Sequence, residues 1–418
     1  MKVDKITGNK ERIQWIDQLR GMAIFLVILG HVDLPNKVNG LIYSFHMPLF
    51  FIITGLTMNN QKLSVMNIKE YIFGQVKQLL IPYFWMNFMM YPLWYLAFHK
   101  LGKSSLTISQ AFYGILVGNS HICASPSNAL WFLLVLMNSK IVYLIICKIS
   151  KQHELKKLLL IVICAFVGYV EQGKERIWHL NVVFTAVVFV YIGNCIMLWY
   201  RKSGEAALRK IKNKQFLSIQ IFMVTIGIGS AYLNGRISMN GNTFGKSIVL
   251  FYLTAIVLSV VCILLVIKFT YLKKDAKTFV AYVGQNTLWY VGVHIPIIRV
   301  LERLLHNKIN SYSLSIFVAV MIYFVLAFLS IFINKWFPFV VGKESLVRNK
   351  NVIGRKTFLV MWCIWIPYLF LLQQMEIAMS SKYIICACGI GLYIVSLGIV
   401  KCIERCIPIV FLEISDRE

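Results

Sequence analysis

Asp17, Arg20 and His31 fall in one early apolar segment, WIDQLRGMAIFLVILGH. A helix turns ~100° and rises ~1.5 Å per residue, so the step from Arg20 to His31 returns to within ~20° of the same face, ~16 Å further along. Asp17 precedes Arg20 by one turn and is placed to pair with it. A guanidinium is a planar fork suited to phosphate. An imidazole takes a proton from an attacking hydroxyl near neutral pH. Two readings fit. In one, the segment is a basic membrane anchor with a neutralising carboxylate and an interfacial histidine. In the other, a cationic clamp and a base stand at the two ends of one functional stripe. Ionisable groups in a bilayer are costly unless they face protein or water, which is why the stripe draws attention.

A second apolar segment, SFHMPLFFIITGL, carries His46. The intervening turn, DLPNKVNG, is short, so the two helices are expected to be antiparallel neighbours. His46 then lies about as deep as His31, so the two are able to face one cavity. Arg20 sits nearer the cytoplasmic side.

The elements that position these groups follow from composition. The chain has 418 residues, of which 58% are hydrophobic and only 14% charged, well below the ~25% charged of soluble domains. Its apolar runs have the length that spans a bilayer. The expected fold is an all-α polytopic bundle with a ten-helix core, residues 15–334, and a C-terminal hairpin, residues 357–400. The core spans are read at 15–33, 40–58, 79–98, 129–148, 158–172, 181–199, 215–233, 247–267, 279–298 and 313–334, and the hairpin helices at 357–374 and 383–400. Pro82 and Pro92 are expected to bend the third helix. The piece AFYGILVG is too short to span. Residues 1–14, the basic loop 335–356 and the tail 401–418 are assigned to the cytoplasm, as is RKSGEAALRKIKNK. The start carries no apolar signal region, so the first helix reads as a retained signal-anchor.

The net charge of +26 raises the question of nucleic acid. Most of the basic residues lie in segments assigned to the cytoplasm, where they set topology and meet anionic lipid. The expected partner is therefore the lipid bilayer and not nucleic acid. Most of the ten cysteines sit in apolar runs, where Cys behaves as a small hydrophobe. No disulfide framework and no metal site are expected.

WIDQLRGMAIFLVILGH followed by SFHMPLFFIITGL resembles the membrane acyltransferase-3 family of sugar and polysaccharide O-acyltransferases, and looks most like the branch containing fucose 4-O-acetyltransferases. Asp17, Arg20, Gly21 and His31 fit the family's first-helix pattern. Phe45, His46, Met47, Pro48, Leu49, Phe50 and Phe51 fit the second, with Thr54-Gly55 in place of Ser-Gly. Softer matches are Lys77 with Ile81-Pro82-Tyr83, and Leu130-Trp131-Phe132-Leu133. In GQNTLWYVGVH, Gly284, Leu288, Tyr290 and His294 match, while Thr287 stands for Ser and Tyr290 comes early. The resemblance covers about 15–334.

The resemblance implies transfer of an acyl group, usually acetyl, from acyl-CoA to a sugar hydroxyl of a surface polysaccharide or its lipid-linked precursor, by a multi-pass enzyme of the cell membrane. Arg20 and His31 map to the family's catalytic or donor-binding residues. His31 acts either as general base or as transient acyl carrier. His46 joins the site, and Lys77 is a candidate contact for CoA phosphate, although topology explains it equally. Asp17, Tyr290, His294 and Trp131 are supporting candidates. For Trp131, an interfacial anchor competes with sugar stacking. No Gly-x-Ser-x-Gly elbow occurs. The competing class is a transporter or flippase for a glycan-related substrate, since intramembrane Arg and His also mark substrate paths. Repeated halves with interrupted helices would favour that class, and none is seen.

Overall fold

The computed structural model describes residues 13–95, 105–119, 128–151, 153–272, 278–304, 311–336 and 338–343. The expected hairpin 357–400 and tail 401–418 lie outside them. In chain order the α-helices are α1 Gln14–His31, α2 Asn36–Leu56, α3 Asn60–Val65, α4 Ile68–Gln75, α5 Ile81–Trp94, α6 Ile108–Val117, α7 Trp131–Ser150, α8 Glu154–Val170, α9 Leu180–Trp199, α10 Glu205–Lys210, α11 Asn213–Asn234, α12 Ile248–Leu272, α13 Phe279–Gly284, α14 Thr287–Leu304 and α15 Tyr312–Trp336. Among the described residues six helical stretches are long and apolar enough to cross a membrane: Asn36–Leu56, Asn128–Ser150, Ile177–Lys210, Asn213–Asn234, Ile248–Tyr271 and Tyr312–Lys335.

The remaining expected core spans are helical but fall short of that measure for separate reasons. α1 carries Gln14, Asp17, Gln18, Arg20 and His31 within eighteen residues. α8 is one turn shorter than a typical span. The apolar part of α14 is Thr287–Leu301.

Three local departures from expectation have physical causes. The third expected helix begins earlier, as α4 running through a π-helical turn, Val76–Leu80, into α5. Pro82 has no N–H to offer the carbonyl four residues back, and the wider turn just before it, closed by Ile81 N–H donating to Val76 O, absorbs the irregularity. The basic stretch after Trp199, expected as a loop, stays helical through a second π-turn, Tyr200–Gly204, and α10. There Arg209 pairs with Glu205 at 2.8 Å. The ninth expected helix, 279–298, is broken: α13 ends at Gly284 and α14 starts at Thr287.

The chain divides into two compact units. One comprises residues 1–66, 138–174 and 180–328; the other comprises 67–137, 175–179 and 329–418. In the first unit α1 is central, packing on α2, α12, α13 and α14, while α2 packs on α9 and α12. α1, which carries Asp17, Gln18, Arg20 and His31, has no exposed residue, and its buried Gln18 accepts from Thr270 Oγ1 on α12 at 2.6 Å. α2 and α9 approach closely at glycines, since a Cβ on Gly55 would overlap the Val190 carbonyl oxygen and one on Gly193 that of Ile52. In the second unit Tyr83 Oη donates to Ile115 O at 2.9 Å and Trp178 Nε1 to Leu116 O at 2.9 Å, tying α6 to its neighbours.

Candidate active site

The three histidine candidates all fall in the first unit. His31 Nδ1 lies 2.7 Å from Val27 O, His46 Nδ1 2.7 Å from Ile42 O, and His294 Nδ1 2.7 Å from Tyr290 O. A carbonyl only accepts, so in each ring Nδ1 carries the proton. The neutral tautomer then leaves a lone pair on each Nε2. Three rings on three helices are fixed in the same way, each by the carbonyl one turn earlier in its own helix.

The rings gather. His31 and His294 meet edge to face with centroids 4.9 Å apart. Tyr43, on α2, bridges the remaining pair, 6.1 Å from His31 and 5.0 Å from His46. The His294 Nε2 is buried and has no hydrogen-bond partner among the described residues. His31 is half-buried, whereas His46 and His294 are buried. Exposed Arg299 lies within electrostatic range of His31, and exposed Arg236 within that of Tyr43. Among the described residues no group of three His, Cys, Asp or Glu side chains is arranged to hold a metal ion.

At the other end of α1, Arg20 Nη1 pairs with Asp17 Oδ1 at 3.3 Å. Gln285 Nε2 donates to the other oxygen, Asp17 Oδ2, at 3.2 Å. Gln285 sits in the break between α13 and α14, so the interruption aims a polar side chain at helix one. The break is held close: a Cβ on Gly284 would overlap the Asp17 carbonyl oxygen, and one on Gly21 the Val280 carbonyl oxygen. Asn286 closes the turn, its Nδ2 donating to Tyr282 O at 2.8 Å.

A chain of bonds joins the two ends. Tyr323 Oη on α15 donates to Gly21 O at 3.0 Å, Tyr290 Oη donates to Tyr323 O at 3.0 Å, and Tyr290 O receives the His294 proton. Tyr290 is therefore placed as a support, with its hydroxyl turned to α15 and its carbonyl to His294.

Asp17, Arg20, His31, His46, Tyr290 and His294 are thus brought into one unit. Lys77 and Trp131 belong to the other. Lys77 lies in the first π-turn with Nζ 5.1 Å from the centre of the Phe73 ring. Trp131 is buried, its ring 5.7 Å from that of His179. Sequence reasoning missed Tyr43, Gln285 and Tyr323. His46-Met-Pro48 and His294-Ile-Pro296 are the same His-x-Pro pattern inside two helices, each proline freeing a backbone carbonyl near its histidine.

The family model described as an acyltransferase domain, acyltransferase 3, matches residues 13–336. The chain belongs to this family. A search of the curated proteins found no match, and a search of the solved structures found none. The match spans the described helices α1 to α15 and ends with the last of them.

Proposed function

We propose that the chain is a membrane O-acyltransferase that moves an acetyl or other short acyl group from acyl-CoA to a sugar hydroxyl of a surface polysaccharide or its lipid-linked precursor, with the fucose 4-O-acetyltransferase branch as the nearest analogy for the acceptor. The observation that carries the reading is the arrangement of helix one. Its histidine has Nδ1 occupied by Val27 O, so Nε2 is left to accept a proton, and its arginine stands on the same stripe.

The chemistry is an acyl exchange. The acceptor hydroxyl gives its proton to His31 Nε2 as its oxygen forms a bond to the thioester carbonyl carbon. The C–S bond then breaks, and the leaving thiolate takes the proton from the imidazolium. His294, edge-on to His31, limits the orientations open to that ring, and its own buried Nε2 offers a second acceptor for a donor group on the sugar. His46 is one ring further, behind Tyr43. Arg20, pre-oriented by Asp17, binds the phosphate-bearing end of the donor. The topology proposed is a core at 15–334 with both termini cytoplasmic, which puts Arg20 toward the side where acyl-CoA is made.

The test compares the surface glycan of cells with the gene intact, deleted, and carrying His31→Ala, reading O-acyl signals by NMR before and after mild base. Signals present only with intact His31, while the variant protein inserts at wild-type level, support the enzyme. Full O-acylation with His31→Ala overturns it. Loss of the whole glycan from the surface on deletion favours transport instead.

A further inference from the structure

His46 and His294 are buried, so protein packs around their rings, whereas His31 is half-buried. The hydrogen bond from His31 Nδ1 to Val27 O, at 2.7 Å, fixes one atom of the ring and not its plane. The last torsion of a histidine is broad and roughly two-fold, and water that reaches a half-buried ring competes for the Nδ1 proton. A half-turn of the ring would take Nδ1 off the carbonyl and turn Nε2 away from its present direction. A base that works through Nε2 therefore needs a neighbour that holds the ring plane.

Tyr43 is built into that place. Its ring centre lies 6.1 Å from that of His31, with the planes 48° apart, and 5.0 Å from that of His46, nearly perpendicular at 77°. His46 is itself fixed: it is buried, and its Nδ1 lies 2.7 Å from the carbonyl oxygen of Ile42, the residue before Tyr43. Tyr43 thus leans on an anchored ring of its own helix and meets His31 with its other side. Gly30, the residue before His31, lets it come close. A Cβ there would stand 3.3 Å from Ile42 Cγ2 and 3.4 Å from Tyr43 Cε2, near enough that those side chains would have to give by a few tenths of an ångström. From α14, His294 meets His31 at 4.9 Å. His31 is flanked by one ring from α2 and one from α14, and the contacts Tyr43 makes are those of its ring.

We propose that Tyr43 is a positioning residue: its ring, backed by His46, holds the plane of His31 so that Nδ1 stays on Val27 O and Nε2 stays turned to the acceptor hydroxyl. This rests on the acyltransferase reading, in which His31 takes the proton. It also gives His46 a part that requires no contact with substrate.

The experiment uses the full chain in nanodiscs. Tyr43→Phe keeps the ring, Tyr43→Leu removes it, and Gly30→Ala keeps the tyrosine but crowds its edge. Steady-state acyl transfer is read at varied donor and acceptor concentrations. NMR of nitrogen-labelled histidine reads the His31 tautomer, its signal assigned by its loss in His31→Gln. Tyr43→Leu is expected to lower kcat on the order of tenfold, the scale of one aromatic contact, with both KM values unchanged and the Nδ1-protonated His31 signal giving way to a mixture of tautomers. Tyr43→Phe should match wild type in both readouts. Gly30→Ala should lower kcat in the same way but should cause no further loss when added to Tyr43→Leu, because the crowded ring is then gone. Since it removes no packed group, Gly30→Ala also decides the matter if Tyr43→Leu fails to insert. A His31 signal that stays unchanged in Tyr43→Leu and Gly30→Ala overturns the proposal. So does an acceptor KM that rises while kcat holds, which makes the ring a surface for the sugar, and so does a loss in Tyr43→Phe as large as that in Tyr43→Leu, which moves the role to the hydroxyl. A wild-type protein that transfers no acyl group removes the acyltransferase reading, and the His31 signal still decides whether Tyr43 holds the ring.

Discussion

Asp17→Asn tests the donor end most directly, because it removes one charge and almost no volume. Asp17 is buried, with its side chain 4% exposed against 29% for Arg20. It holds Arg20 at 3.3 Å through one oxygen and Gln285 at 3.2 Å through the other. Hydrogen bonds to charged groups contribute ~1.5–3 kcal/mol at ideal lengths of ~2.7–2.9 Å. The present contacts are longer and Arg20 is partly accessible, so the ion pair belongs at the lower end, ~1.5 kcal/mol. The Gln285 bond survives in part, since an amide oxygen still accepts it, but the amide nitrogen now faces the guanidinium. The expected total loss is ~2 kcal/mol, equivalent to about thirtyfold in apparent affinity. The loss should fall on the KM for acyl-CoA and spare kcat, because the histidines at the far end of α1 are untouched. Steady-state transfer of a labelled acyl group by the full chain in nanodiscs, at varied donor concentration, reads the split. Asp17→Glu, which restores the charge on a longer stem, should recover part of the affinity. A donor KM equal to wild type in Asp17→Asn would refute the claim that Asp17 positions Arg20 for the donor.

Gly284→Ala is expected to force α13 away from α1, because the new methyl meets the Asp17 backbone oxygen, which cannot turn aside. The cost is ~2 kcal/mol or more, seen as a lower unfolding temperature together with a raised donor KM. Gly40→Ala, where nothing lies within 4 Å of the added Cβ, is the matched control and should change neither. For topology, a fluorescent protein inserted after Lys212, between α10 and α11, should light up in the cytoplasm. A reporter that works only outside the cytoplasm and is active there would invert the proposed orientation.

The local part of the site was legible because helical periodicity is rigid. The spacing of Asp17, Arg20 and His31 fixes their common face wherever the helix goes, and a turn as short as the one ending at Pro35 leaves α2 no choice but to return beside α1. His46 therefore came near His31 as expected, though with Tyr43 standing between them. That α2, α7, α9, α11, α12 and α15 are long and apolar enough to cross a membrane followed from the sequence alone. The weaker spans were those where that signal is diluted: α1 by its own polar residues, and α14 by the break before it.

The break in the ninth helix was not legible. Gly-Gln-Asn inside an apolar run reads as a tolerated irregularity, since helices in membranes often carry glycine. What packs against the break is a backbone far away in sequence, that of α1 at Asp17 and Gly21, and only the folded chain supplies it. The sequence by itself determined which residues share a helix face and which segments are apolar enough to leave water, because both are set by bonded geometry and transfer energy. Tertiary structure decided that His31 meets His294 and that Gln285 reaches Asp17, because those meetings depend on how closely separate helices pack, which no local spacing encodes.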